Sequence, residues 1–399
     1  MTLITLTWRW QWKSQCASWS TRHGKCLLLA LLLCWPSGEA GAQTLPETKG
    51  RDQVWQVKAN ETLFSIARSH RLGLEHVAFA NRRSVTQEVK PGGRLRVPGR
   101  RILPLSAPRD GLVLNLPERG LFLFRKGSFE GFYPVAVGAP GWNTPVGAFK
   151  IAEHVKNPTW VPPGWAGGGA PVGPGPANPL GDRWMGLNFR GYGIHSTNRP
   201  DSIGGAVSHG CIRTYPEMAH ELFERVQVGL SVRIENRPVK LGYDEELSEV
   251  CLAVFPDIYA PTERLGEARR LLKQAGLTGL VEEERLRTIV ANGTGVAEIL
   301  GGMRMHLAAP SQVSEAAGLY LNERLYVDSA GLEAVGVVVS EQGENLHLTY
   351  QGADTTCKPL SLREHRLVPI QLAFQGLGLN YRWDAPSKTL YLNPLTPGP

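Results

Sequence analysis

Residues 208–213 read Ser-His-Gly-Cys-Ile-Arg, a thiol two positions after a histidine and two before an arginine. Cys211 in that setting could be a nucleophile, a metal ligand, half of a disulfide or a buried filler. A zinc site asks for about four Cys, His or carboxylate ligands at ligand spacing. Here His209 and Cys211 make a bare H-x-C and no C-x-x-C occurs in the chain, so no metal is expected. A disulfide to Cys251 or Cys357 stays open on counting alone, although a glycine and polar neighbours would be wasted on a staple. A nucleophile needs a base, a way to hold an oxyanion and an anchor for substrate. His195 and His209 both lie within 16 residues of Cys211, in a chain with 10 histidines. Gly210 lets the backbone turn where other residues cannot and brings N–H groups close to a reacting carbonyl. A helical stretch follows, and a Cys near a helix N-terminus has its thiolate stabilised. Arg213 can hold a carboxylate by paired hydrogen bonds. Together these residue types suit acyl transfer through a thiol.

The elements that must position them lie in residues 108–236. "GLVLNLP", "GLFLFRKG", "GFYPVAVG" and "VGAFKIAEHV" are strand-like runs separated by Gly, Pro and Asn. Residues 161–181, "VPPGWAGGGAPVGPGPANPLG", hold too much Gly and Pro for a regular element. A long irregular segment inside a compact domain is usually a functional loop or lid, and Trp160, Trp165 and Trp184 around it suggest that it packs or faces substrate. "MGLNF", "GYGIHST", the cysteine motif, a helical "PEMAHELFERVQ" and a closing strand "SVRIE" follow.

This stretch resembles an L,D-transpeptidase catalytic domain of the YkuD/ErfK family. The likeness is carried by Tyr133-Pro134-Val135 with Val137-Gly138, Thr144-Pro145-Val146-Gly147, Asn157-Pro158-Thr159-Trp160 with Pro162-Pro163, and Asn178-Pro179-Leu180-Gly181. It continues through Gly193-Ile194-His195, Ile203-Gly204 and Ser208 to Arg213. His195-Ser196-Thr197 stands where the family often has His-Gly-Thr, and Thr214 replaces a common apolar residue. The resemblance implies a β-sandwich in which Cys211 is the nucleophile and His195 its base. The carbonyl of Ser196 would orient the imidazole, and the N–H groups of Gly210 and Cys211 would hold the oxyanion. Ser208, His209 and Thr197 would shape the substrate site, with Arg213 on a substrate carboxylate. It implies no cofactor.

The rest of the chain suggests a multidomain, mainly β protein. Its 399 residues, 42% hydrophobic and 20% charged, are enough for two to four globular domains. Residues 1–42 read as a signal peptide: four basic residues, the apolar run "CLLLALLLCW" at 26–35, then Ala40-Gly41-Ala42. That run is about half of what spans a bilayer, so no stable membrane span is expected after cleavage. Of six cysteines three lie in this leader, which leaves Cys211, Cys251 and Cys357. The whole-chain charge of +7 is too weak to argue for nucleic acid. Residues 52–102 have the order β-α-α-β and resemble a LysM module, through Val57 to Leu63, Ile66-Ala67, Asn81 and Pro91 to Leu95. The resemblance implies N-acetylglucosamine-containing glycans as ligand, with a groove at Asn60, Glu61, Thr62, Leu63, Pro91 and Gly92. Residues 237–300 read as a largely helical connector, with Thr262 as cap and Gly276 as stop. Residues 301–397 hold a weak repeat, Arg324 onward matching Arg366 onward, each unit reading strand, short helix, strand pair. This α+β region resembles the stalk-like domain named after the N-terminal region of copper amine oxidases, a name that carries no copper chemistry.

The expected partners are therefore peptidoglycan stem peptides and glycan strands, with an envelope protein as a candidate for the C-terminal domain. The expected place is outside the cytoplasm, in periplasm or cell wall. Transfer to a stem amine, to water or to a wall protein, and a non-catalytic wall-binding scaffold, are the outcomes that the sequence leaves open.

Overall fold

The computed structural model describes residues 45–394 apart from 247–248, 279–280, 303, 310–311, 322–323, 363–364 and 385–386. The expected signal peptide lies outside the described residues. Among the described residues no helix is long and apolar enough to cross a membrane.

Nine strands surround the cysteine motif. They are β1 (Gly111–Asn115), β2 (Gly120–Arg125), β3 (Ser128–Gly138), β4 (Gly147–Lys156), β5 (Arg183–Leu187), β6 (Gly193–His195), β7 (Ala206–Ser208), β8 (Ile212–Thr214) and β9 (Ser231–Glu235). Their order is β7-β3-β8-β6-β5-β4-β9-β1-β2, and β2 also pairs with β3. The long strand β3 thus closes the expected sandwich on itself, shifting register between the paired Leu123 and Phe124 of β2. Closure leaves the short β7, paired only with β3 among the described residues, at an edge. It also explains why β1 and β2 are apolar at nearly every position rather than alternately. Leu112, Leu114, Leu121 and Leu123 enter the central core, while Val113, Phe122 and Phe124 face a second cluster with Leu103. Helix Pro216–Arg225 begins on a proline, which suits a first helical position. It buries Met218, Ala219, Leu222 and Phe223, the three-and-four spacing of one helical face, over the core.

Residues 53–97 form two strands, Gln53–Gln56 and Arg94–Val97, around helices Leu63–Ser69 and Leu74–Ala80. This βααβ unit is docked on the nine-stranded region. Arg68 makes two bonds to Glu217 at 2.9 and 2.8 Å, Arg71 reaches Glu221 at 2.8 Å, and Tyr215 Oη donates to the Leu72 carbonyl at 3.0 Å. Gly73 and Gly204 meet backbone to backbone, so that a Cβ on Gly73 would lie 2.4 Å from Gly204 Cα.

The segment expected to be a helical connector is instead an α/β unit. Strands Val239–Asp244, Glu249–Val254 and Ala297–Gly302 form an antiparallel sheet, and helices Arg264–Gln274 and Glu283–Asn292 cover it. The apolar run at 250–255 is buried on both faces of this sheet, so it lacks the alternation that marks a half-exposed strand. Thr262 does not cap the first helix with its side chain: its hydroxyl donates to Asp257 at 2.6 Å, and Glu263 precedes the helix. A buried ion pair, Lys240 to Glu118 at 2.8 Å, ties this unit to the nine-stranded region. In the last region both repeat units run strand, helix, strand, strand: Arg324–Asp328 to Asn345–Tyr350, and His365–Pro369 to Thr389–Pro394. Cys251 and Cys357 are free and sit in separate cores, so they do not pair.

Candidate active site

Strands β6 and β8 run parallel and side by side, with Ile194 opposite Ile212 and His195 opposite Arg213. Side chains alternate across a strand. Ile194 and Ile212 go down into the core, and His195 and Arg213 face the other way. Cys211, one step before β8, shares the face of Arg213. The three line one cavity of about 510 Å³ together with Ser208 and His209.

The cysteine loop is held from below. Gly210 has φ of 108°, a conformation closed to other residues, and a Cβ there would lie 2.5 Å from the Tyr192 ring. Ser208 Oγ donates to the Cys211 carbonyl at 2.5 Å and accepts from Gly210 N–H at 3.1 Å. That second bond takes up one of the two N–H groups expected to hold an oxyanion. The sulfur donates to the Gly191 carbonyl at 3.3 Å and has the Gly193 N–H against it, a donor that the sequence did not point to.

Two electrostatic findings correct the thiolate picture. Helix Pro216–Arg225 starts only after β8, so its N-terminus is too far along the chain to act on Cys211. Burial raises the thiol pKa above its ordinary value, against smaller opposing effects of the Gly193 N–H and Arg213. His195 is buried and its pKa falls to about 4, first through desolvation and then through the Arg213 charge, with the Ser196 and Leu180 carbonyls pulling the other way. Near neutral pH the resting pair is therefore a thiol and a neutral imidazole. His195 Nδ1 lies 2.5 Å from the Ser196 carbonyl, so Nδ1 carries the proton and Nε2 has the lone pair.

Arg213 has a buried Nε without a hydrogen-bond partner and lowered basicity from burial. An anion in the cavity would satisfy it. His209 is stacked on Trp165, with centroids 3.8 Å apart and planes at 11°, and Trp142 meets its edge at 4.7 Å. Trp165 belongs to the irregular segment 161–181, which forms one wall of the cavity through Val161, Pro163, Trp165, Pro179 and Leu180. Asn178 holds that segment by donating to the Pro158 carbonyl at 2.7 Å. Thr197, expected beside the substrate, is buried and accepts from the Arg199 N–H at 3.0 Å; it does not line the cavity. Ser196 turns its carbonyl to His195 Nδ1 and donates its N–H to the Arg183 carbonyl at 3.0 Å.

The expected glycan residues fall into two groups. Asn60, Glu61, Pro91 and Gly92 lie at one end of the βααβ unit, where Val57 O accepts from Gly92 N–H and Val57 N–H donates to the Gly93 carbonyl, both at 2.8 Å. Leu63 points into that unit's core, and Thr62 Oγ1 caps the first helix, so neither side chain is offered to a ligand. Glu61 is held by the Trp55 indole at 2.9 Å and the Lys58 N–H at 2.8 Å.

Sequence reading gave no role to Tyr259, which lies outside residues 108–236. Its hydroxyl accepts from Thr144 N–H at 3.0 Å, and Thr144 Oγ1 donates to the Gly210 carbonyl at 2.8 Å while accepting from Gly138 N–H at 2.9 Å. Thr144→Val is expected to strip both side-chain bonds from a buried site. The expected cost is about 2 kcal/mol of stability and roughly a tenfold loss in kcat/KM, read by denaturant unfolding and steady-state kinetics.

A thiol, a neutral imidazole and a guanidinium with an unsatisfied Nε on one sheet face are the equipment of an acyl-transfer enzyme. Residues 109–234 match the L,D-transpeptidase catalytic domain family, YkuD. The chain is 33% identical over 204 residues to "Probable L,D-transpeptidase YbiS" of Escherichia coli K12, covering 48% of this chain and 66% of that protein. It is 30% identical over 251 residues to "Probable L,D-transpeptidase YcfS" of the same organism, covering 58% and 77%. Against YkuD of Bacillus licheniformis, which carries the same family name, identity is 34% over 181 residues, 45% of this chain and 98% of that one. The catalytic domain of E. faecium L,D-transpeptidase aligns at 25% identity with a TM-score of 0.27, covering 32% of this chain and 96% of that one, too low a score to add weight. The chain belongs to the L,D-transpeptidase family.

Proposed function

We propose that the protein is a peptidoglycan L,D-transpeptidase working outside the cytoplasm. The observation that carries this reading is the shared face of β6 and β8, which gives Cys211, His195 and Arg213 to one cavity. The donor is a tetrapeptide stem that ends in D-Ala after a third residue with an L-centre. Arg213 takes a stem carboxylate. His195 Nε2 removes the thiol proton as Cys211 Sγ attacks the carbonyl carbon of the third residue. The resulting oxyanion is held by backbone N–H groups, the Gly193 N–H beside the sulfur among them. Collapse breaks the C–N bond, the imidazolium returns its proton to the leaving amine, and D-Ala departs from a thioester. A neutral amine of a neighbouring stem then attacks the thioester carbon. His195 takes the amine proton, the C–S bond breaks, and the thiolate recovers that proton. The product is a 3→3 crosslink.

The βααβ unit acts in this reading as a LysM module on glycan strands, with Asn60, Glu61, Pro91 and Gly92 at its exposed end. Its ion pairs to helix Pro216–Arg225 hold it against the catalytic region, which raises the local substrate concentration without altering the chemistry. Residues 301–397 serve as a stalk-like spacing or binding module, with an envelope protein as the candidate partner.

The test is to incubate the purified protein with disaccharide-tetrapeptide and read the products by mass spectrometry, with Cys211→Ala alongside. A dimer that has lost one D-Ala is the expected product. Tripeptide alone would make water the acceptor and the protein an L,D-carboxypeptidase. No loss of D-Ala, with glycan binding intact, would leave a wall-binding scaffold.

A further inference from the structure

The cavity has one carboxylate among its lining residues, Glu153, and the acyl-transfer scheme does not use it. A β-bulge puts it there. Ile151 pairs with Leu187 and Glu153 with Gly186, so two steps along β4 meet one step along β5. Plain alternation from buried Ile151 would send Glu153 into the core; the bulge turns it to the cavity instead. There the Trp184 indole Nε1–H donates to Glu153 Oε2 at 2.7 Å. Gly186 leaves room for the pair, since a Cβ on it would lie 2.7 Å from Glu153 Oε2 and 2.8 Å from Trp184 Nε1. The Trp184 ring continues to the base, its centroid 5.8 Å from that of His195. The carboxylate is thus held at a set offset from the reacting centre. The indole has one N–H to give, while a carboxylate has about four acceptor sites, so acceptor capacity is left over for a ligand.

We infer that Glu153 is the recognition point for the side-chain ammonium of the donor stem's third residue. The inference rests on the acyl-transfer reading above and names its donor class: a stem whose third residue is a diamino acid with a free distal amine. The sign of the charge separates this from the other amine in the reaction. A carboxylate keeps a neighbouring amine protonated, and the acceptor amine must be neutral to attack. Glu153 therefore suits the donor's spectator ammonium. Arg213, of opposite charge in the same cavity, takes a carboxylate of the same stem, and the two fix its orientation.

The test compares two tetrapeptide donors that differ only in the third side chain, free amine against N-acetylated amine, by the rate of D-Ala release. Wild-type protein is expected to favour the free amine by about tenfold in kcat/KM, mainly through KM. Glu153→Gln keeps an acceptor for the Trp184 indole and removes the charge, and is expected to treat the two donors alike. Trp184→Phe keeps an aromatic ring, removes the N–H and frees the carboxylate to rotate, and is expected to lower the preference without abolishing it. Equal rates for wild type on both donors, or an undiminished preference in Glu153→Gln, would overturn the inference and leave the transpeptidase reading standing. No D-Ala release by wild type from either donor would remove that reading and the inference with it.

Discussion

Cys211→Ala is expected to lower D-Ala release from a tetrapeptide donor by at least about 10⁴-fold, since removal of a covalent nucleophile leaves only binding and oxyanion contacts. The fold should survive the change. The sulfur keeps some solvent access, and its hydrogen-bonding neighbours are the Gly191 carbonyl and the Gly193 N–H. Truncation there costs little packing, about 1 kcal/mol or less. The loop is kept in shape by Ser208 and Thr144, which the substitution does not touch. Release kinetics with intact-protein mass spectrometry and a thermal melt check both halves. A variant within tenfold of wild type would remove Cys211 from the nucleophile role, whatever the melt shows.

His195→Gln is expected to cost between about 10² and 10⁴ in kcat/KM, the usual contribution of a positioned general base. The accompanying pH profile is the sharper test. With the imidazole pKa at about 4, the base stays unprotonated through the mildly acidic range, so the acid limb of wild-type kcat/KM should fall near pH 4 and not near 6.5. A thiolate–imidazolium pair at rest would give the opposite pattern, with thiol alkylation already fast at pH 5. Because burial raises the Cys211 thiol, alkylation is expected to speed up only at alkaline pH. The same shift carries a stability consequence. The unfolded chain takes up a proton on His195 as pH drops below 6.5, and the folded chain does so only near 4. The stabilisation present above pH 6.5 is therefore lost between 6.5 and 4, about 3 kcal/mol in all. Half-buried His76, also pushed well below its ordinary value by desolvation, adds in the same direction. Denaturant unfolding from pH 7 down to pH 4 should show a shallower decline for His195→Gln than for wild type. Identical slopes would mean that His195 is not buried as a neutral imidazole.

The site was legible where its chemistry depends on local order. Gly210 beside Cys211, the alternation through Ile212 to Arg213, and His195 at the end of a strand are features of short segments. A strand's period of two puts Cys211 and Arg213 on one face without any long-range information. The lid reading of residues 161–181 had a similar basis, since Gly and Pro at that density leave the chain no regular element. Expectations failed where a contact crosses the chain. A helix follows Cys211 in sequence, which points to a dipole effect on the thiol, but β8 intervenes and pairs with β6 and β3. Thr197 matched a substrate motif, yet its hydroxyl is spent on a local turn. The connector around residue 250 hid its strands because both faces are covered, and a continuous apolar run does not announce its period.

By itself the sequence determined the reaction class, the βααβ order of residues 53–97 and the strand–helix–strand–strand order of the C-terminal repeat, and it proposed Cys211 and His195 as nucleophile and base. Each follows from residue types and their order along the chain. Only the tertiary structure decided the protonation states of the pair, because desolvation and the charge of Arg213 depend on what surrounds the groups. It alone brought Tyr259 to Thr144 across 115 residues. It alone showed that the bulge beside Ile151 turns Glu153 out of the core and into the cavity. A bulge is one extra residue accommodated by pairing with a distant strand, and no period within β4 can reveal which way the next side chain will point.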